Sequence, residues 1–99
     1  MSSAKKAPDK DSITKQMVIL NSKGLHARPA ASFVRVANRF KCEVFVEKDG
    51  EKVNGKSIMG LMMLAAGPGC RITVLVEGDD ATQAMDDIEA LLNRKFDEE

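Results

Sequence analysis

CEVFVEKDGEKVN, residues 42–54, decides the fold. Cys42, Val44 and Val46 recur at every second position, which puts them on one face of an extended chain. Asp49-Gly50 follows, and an Asp-Gly pair accepts the left-handed backbone of a two-residue hairpin turn. The stretch therefore reads as two antiparallel strands, 42–48 and 51–54, tightly joined. Two strands alone are barely stable in water. The rest of the chain has to add strands beside this hairpin and cover its apolar face.

Working outward, Met17, Val18, Ile19 and Leu20 mark a first strand over 15–20, and Cys70, Ile72, Val74 and Val76 alternate along a fourth over 70–77. Asn21, Ser22, Lys23 and Gly24 form a turn. Pro29 suits the first turn of a helix over 27–38, where its missing N–H costs nothing, and Ala30, Phe33, Val34 and Ala37 give that helix an apolar side. Ser57 is a good N-cap for a short helix over 58–64, ended by Gly67-Pro68-Gly69. Asp80 and Gln83 stand where a capping box places them, ahead of the stripe Ala81, Ala84, Met85, Ile88, Leu91 and Leu92. The order is β-α-β-β-α-β-α. Three one-sided helices can cover one face of a four-stranded sheet, so the expected class is α+β, an open-faced two-layer sandwich. Residues 1–12 are small, polar and charged and are expected to form a disordered arm, a solvated tail or a docking segment, ahead of one domain over 13–99. Asp97, Glu98 and Glu99 read as a frayed end.

Composition narrows the function. Fifteen basic residues balance fifteen acidic ones, which gives no electrostatic case for nucleic acid. The only aromatics are four Phe, so stacking platforms for single strands are scarce. No apolar run approaches ~20 residues and the first residues hold no apolar leader segment. Two cysteines without C-x-x-C spacing and a single histidine make no metal site, and reduced thiols make the cytoplasm the default compartment. No cofactor is implied.

The one histidine lies in GLHARPAAS, residues 24–32. At a helix start the N–H groups of Ala27 and Arg28 lack intrahelical partners, and the positive end of the helix favours an anion. Arg28 adds a cation able to hold phosphate oxygens. A helix N-terminus disfavours an imidazolium, and a neutral imidazole is a nucleophile toward phosphorus. Small Ala27, Ala30 and Ala31 leave room for a partner. The pattern suits a histidine that accepts a phosphoryl group; position alone also permits a purely structural histidine.

Two motifs carry a resemblance. GLHARPA is similar to the active-centre motif of the histidine-containing phosphocarrier family HPr, of the bacterial phosphoenolpyruvate-dependent phosphotransferase system. VNGKSIMGLMML, residues 53–64, resembles that family's second signature, around a regulatory serine. The likeness runs from about Ile13 to Phe96. It implies strand order 1-4-2-3 with three helices on one face. It implies that His26, at Nδ1, accepts phosphate from phospho-enzyme I and passes it to an enzyme IIA-type acceptor of a sugar permease. Arg28 is then the phosphate-site arginine, and Ser57 the target of a dedicated ATP-dependent kinase, an HPr kinase/phosphorylase. Such a chain is a substrate of enzymes and not itself an enzyme. Lys23 stands where the family often has Ser, Thr or Asn, and it either adds phosphate affinity or is solvated. MMLAAGPGC and the FDEE tail look closer to the nitrogen-related and regulatory branches, so the alternative is a regulatory paralogue signalling through His26 and Ser57 without sugar transport.

Helix 58–64 is more apolar than one buried side needs. Ile58, Met59 and Met62 are assigned to a docking patch beside His26, completed by Ala31, Arg35, Asn38 and Arg39, with Leu61 and Leu64 in the core. Lys56 is expected to attract a phosphate on Ser57. In a 1-4-2-3 sheet Cys42 and Cys70 open antiparallel neighbours at opposite ends, ~20 Å apart, too far for a disulfide. Outward-facing Val18, Leu20, Phe45 and Leu75 are expected to form one apolar patch, covered by the arm with Ile13 or by weak self-association; a monomer is expected.

Overall fold

The computed structural model describes residues 11–98. Four strands, β1 (Asp11–Val18), β2 (Glu43–Lys48), β3 (Glu51–Asn54) and β4 (Arg71–Gly78), form one sheet in the order β1-β4-β2-β3. Every pairing is antiparallel. The hairpin turn is as its sequence requires: Asp49 and Gly50 both have positive φ, 53° and 84°, and Lys48 pairs with Glu51. Helices α1 (Ala27–Ala37), α2 (Ile58–Met63) and α3 (Ala81–Asn93) follow the expected order.

Period-two alternation places the core. Met17, Ile19, Val44, Val46, Ile72, Val74 and Val76 are buried, and Phe33, Val34, Leu61, Met85, Ile88 and Leu92 of the helices are buried in the same cluster. Each such side chain removed from water contributes about 1.5–3 kcal/mol. Cys42 is buried and Cys70 half-buried, and both are free thiols, so the rejected disulfide stays rejected.

Several expectations change. β1 starts at Asp11, not Lys15, because the alternation Ile13, Lys15, Met17, Ile19 extends the inward face beyond the obvious apolar run; Asp11 pairs with Gly78 and Ser12 with Glu77. Two residues assigned to the arm, Asp11 and Ser12, are thus in the sheet, while 1–10 lie outside the described residues. Ile13 packs against the core cluster rather than over the bare face. The apolar patch is split as well. Phe45 pairs with Leu75 and Leu75 with Thr14, whereas Val18 pairs with Arg71, four residues further along β1 and ~13 Å away. Phe45 and Leu75 sit in a depression with Thr14, Glu47, Lys52 and Thr73, where the Lys52 ammonium lies 4.8 Å from the Phe45 ring centroid. Val18 and Leu20 face a separate groove beside Glu89 and Asn93 of α3.

Asp80 precedes α3, but its carboxylate does not cap it. It accepts from the backbone N–H of Lys41 at 2.9 Å and of Cys42 at 3.0 Å, tying α3 to the entry of β2. The Lys41 bond holds the Asp80 carboxyl below the usual carboxylate range. Burial pushes the Cys42 thiol up, and Asp80 beside it adds to that. Gln83 donates to Asp87 at 2.9 Å instead of closing a capping box.

Candidate functional site

The turn before α1 builds the site. Gly24 has φ +72°, and a Cβ there would lie 2.6 Å from the Ala66 carbonyl oxygen and 2.8 Å from the Gly67 Cα. Only glycine allows this close crossing of the two chain segments. The crossing is fastened by Leu25 N–H donating to the Ala66 carbonyl at 2.8 Å. The Gly24 carbonyl accepts from the His26 N–H at 3.0 Å and from Asn21 Nδ2 at 2.7 Å, and Asn21 is fully buried. His26 is thereby delivered as the N-cap of α1 in an extended conformation, φ −83° and ψ −168°, with no side-chain cap bond. Its ring is not spent on the helix cap, and 39% of the side chain is exposed.

Two hollows open by this turn, and His26 lines the first of them. One, of about 290 Å³, is walled by Lys23, Leu25, His26, Met62, Ala65, Ala66 and Gly67. The other, of about 150 Å³, is walled by Ser22, Lys23, Arg28 and Glu98. Lys23 therefore borders both. The structure brings together His26, Lys23 and Met62 in one hollow and Lys23 and Arg28 in the other. Among the described residues no cluster of three or more His, Cys, Asp or Glu side chains is placed to hold a metal ion, and no helix is long and apolar enough to cross a membrane.

Sequence reasoning missed one member of the site. Glu98, expected in a frayed end, has its carboxylate against the histidine, with Oε2 3.0 Å and Oε1 3.3 Å from His26 Nε2. Asn21 Nδ2 donates to the same carboxylate at 2.9 Å. The chain reaches this position through Lys95, Phe96 and Asp97, all with φ between 56° and 62°, while Phe96 is buried in the core. Three left-handed residues without a glycine leave no local signal in the sequence; the buried Phe96 near the chain end was the one available hint.

On α2, Ser57 is the N-cap and its Oγ accepts from the Gly60 N–H at 3.0 Å. Leu61 and Leu64 are buried, and Ile58, Met59 and Met62 are exposed. Met63, not singled out beforehand, is 66% exposed and belongs to the same apolar surface. Ile58 and Met59 line neither hollow. On α1, Ala31 is half-buried and Arg35 is exposed; Asn38, its C-cap, and Arg39 in the turn after it are exposed too, and α1 packs against α2. Lys56 does not wait beside Ser57 for a phosphate: its ammonium donates to the Phe40 carbonyl at 2.8 Å.

The chain matches the family model described as the PTS HPr component phosphorylation site over residues 13–94. It is 52% identical to an HPr-like protein Crh of Halalkalibacterium halodurans over 83 residues, 84% of this chain and 99% of that one. Proteins named phosphocarrier protein HPr match over most of their length as well. Among solved structures, an HPr of Thermoanaerobacter tengcongensis superposes with a TM-score of 0.85 at 45% identity, covering 88% of this chain and 98% of that one. Crh of Bacillus subtilis, described as a domain-swapped dimer, superposes with a TM-score of 0.69 at 50% identity, covering 75% and 85%. The crossing at Gly24 and the histidine it presents thus sit in a known frame, and the chain belongs to the HPr family, the histidine-containing phosphocarriers of the bacterial phosphotransferase system.

Proposed function

We propose that this chain works in the cytoplasm as a phosphocarrier, accepting a phosphoryl group on His26 Nδ1 from phospho-enzyme I and passing it to an enzyme IIA-type acceptor of a sugar permease. The observation that carries this reading is the half-exposed His26 ring at the opening of α1, with one nitrogen engaged by Glu98, a hollow it shares with Lys23, and a second hollow bordered by Lys23, Arg28 and Glu98. Backbone N–H groups of the first turn and the Arg28 guanidinium stabilise the phosphoryl oxygens. Ala31, Arg35, Ile58, Met59 and Met62, joined by Met63, form the surface on which successive partners dock; thioethers adapt to more than one shape. The chain is a substrate of its partner enzymes, not an enzyme. Incubation with enzyme I and phosphoenolpyruvate is expected to yield one acid-labile, base-stable phosphoryl adduct per chain, and a chain that stays unmodified overturns the reading.

Ser57 is the regulatory site, modified by an HPr kinase/phosphorylase. It lies five residues before Met62, about 7 Å along α2, so charge there sits beside the docking surface. Asp at position 57 keeps a good N-cap, so Ser57→Asp is expected to melt close to wild type while transfer from phospho-enzyme I slows at least about tenfold. Wild-type transfer kinetics would reduce Ser57 to a cap.

A second reading keeps the same phosphohistidine but ends in signalling, without a permease, and the similarity to B. subtilis Crh, described as a catabolite repression HPr, favours it. Transfer of label from the phosphorylated chain to IIA-type proteins separates the two. The carrier acts as a monomer. Light scattering on the full chain and on a chain trimmed to begin at Asp11 is expected to give the monomer mass for both. A dimer mass for the full chain, as described for B. subtilis Crh, overturns this.

A further inference from the structure

We propose that Glu98 is a positioning residue for phosphoryl transfer: its carboxylate holds the Nε2 proton of His26, leaves Nδ1 as the nucleophile and balances the charge the ring acquires. The inference rests on His26 being the phosphoryl acceptor. An ionised carboxylate only accepts hydrogen bonds, so the 3.0 Å contact with Nε2 requires the proton on that nitrogen. The neutral ring then carries its lone pair on Nδ1. In the transfer, that lone pair forms the N–P bond while the bond from phosphorus to its donor atom breaks and the donor atom keeps the electron pair. The Nε2 proton stays in place. The product ring is therefore a phosphoimidazolium, positive, directly against Glu98. The carboxylate stabilises that charge as it develops, and it stabilises a ring oriented to donate onward in the reverse sense at the next partner.

The carboxylate is itself held. Asn21, fully buried, donates one Nδ2 hydrogen bond to Glu98 Oε1 at 2.9 Å and another to the Gly24 carbonyl at 2.7 Å. A flipped amide would set its oxygen against two acceptors, so the network allows one orientation. The left-handed run Lys95–Asp97 and the buried Phe96 bring the acid back over the ring, and the Arg94–Asp97 pair, 3.0 Å, closes that turn. A solvated tail has no need of such a backbone.

The test uses the full chain, whose single histidine gives one imidazole signal set. In the unphosphorylated, nitrogen-15-histidine-labelled protein, long-range proton–nitrogen correlation is expected to show the proton on Nε2 and an unprotonated Nδ1. In Glu98→Ala the two nitrogen shifts move toward each other. Transfer from phospho-enzyme I is expected to fall about tenfold in Glu98→Ala, the scale of one charge-assisted hydrogen bond at a part-exposed site. Glu98→Gln keeps an acceptor for Asn21 and for Nε2 but not the charge, so it is expected to stay slow, whereas it would rescue a merely structural role. A proton on Nδ1 in wild type, wild-type rates in both variants, or full rescue by Gln overturns the proposal. If wild type takes no phosphoryl group at all, the carrier reading fails, and the tautomer still reports on Glu98 by itself.

Discussion

His26→Ala is expected to fold and melt like wild type and to take up no acid-labile phosphoryl group from enzyme I and phosphoenolpyruvate, a complete loss. The fold should tolerate the change because the ring supports little of it. His26 is the N-cap of α1 without a side-chain cap bond, its ring is half-exposed, and its side-chain hydrogen bonds run to Glu98 near the chain end. Changes at such positions move stability by roughly 1 kcal/mol or less. The chemistry cannot tolerate it, because the chain has no other imidazole. Phosphate on Ser57 would be an ester, stable in acid, so acid treatment followed by mass measurement separates the two. An acid-labile adduct that persists in His26→Ala overturns the assignment of His26.

The second large effect is expected at Gly24. Gly24→Ala must hold an L-residue at φ +72° and place its Cβ 2.6 Å from one backbone atom and 2.8 Å from another. Backbone cannot step aside as a side-chain tip can. The left-handed conformation and the forced displacement together cost about 2–4 kcal/mol, read as a fall in the urea midpoint. Transfer is expected to slow as well, since the Leu25–Ala66 bond that sets the height of His26 is the one displaced. Gly50→Ala is the control. Gly50 has φ +84° but open space around it, so it isolates the conformational cost and is expected to lose clearly less. Equal losses at the two positions would show that the close crossing contributes nothing.

How much was legible in the sequence follows from the range of each interaction. The hairpin 43–54, the α3 stripe and the alternation of β4 are properties of near neighbours, and they appear within a residue or so of the expected bounds. The early start of β1 was missed because Ile13 stands alone among polar residues, and only pairing with Val76 makes it a strand residue. Asp80 has the residue type of a cap, yet its oxygens go to Lys41 and Cys42, which no local pattern ties to it. His26 stood out by chemistry and by motif. Glu98 lies 72 residues away from it in sequence, and an acidic chain end reads as solvent-exposed until the turn that folds it back is seen.

The 39% exposure of the His26 side chain has a consequence for timing. On the proposed function, a phosphoryl group on that ring would stand in bulk water from the departure of one partner to the arrival of the next. A docked partner would exclude that water by covering the hollow that Met62 and Ala65 line beside the ring. If His26 carries the phosphoryl group, the groups touching the ring act on that group whether or not a partner is docked, whereas the α2 surface acts only in the complex. On that reading, the choice of partner can be tuned through the methionines of α2 without altering shelf life, and shelf life through the groups touching the ring without altering who docks.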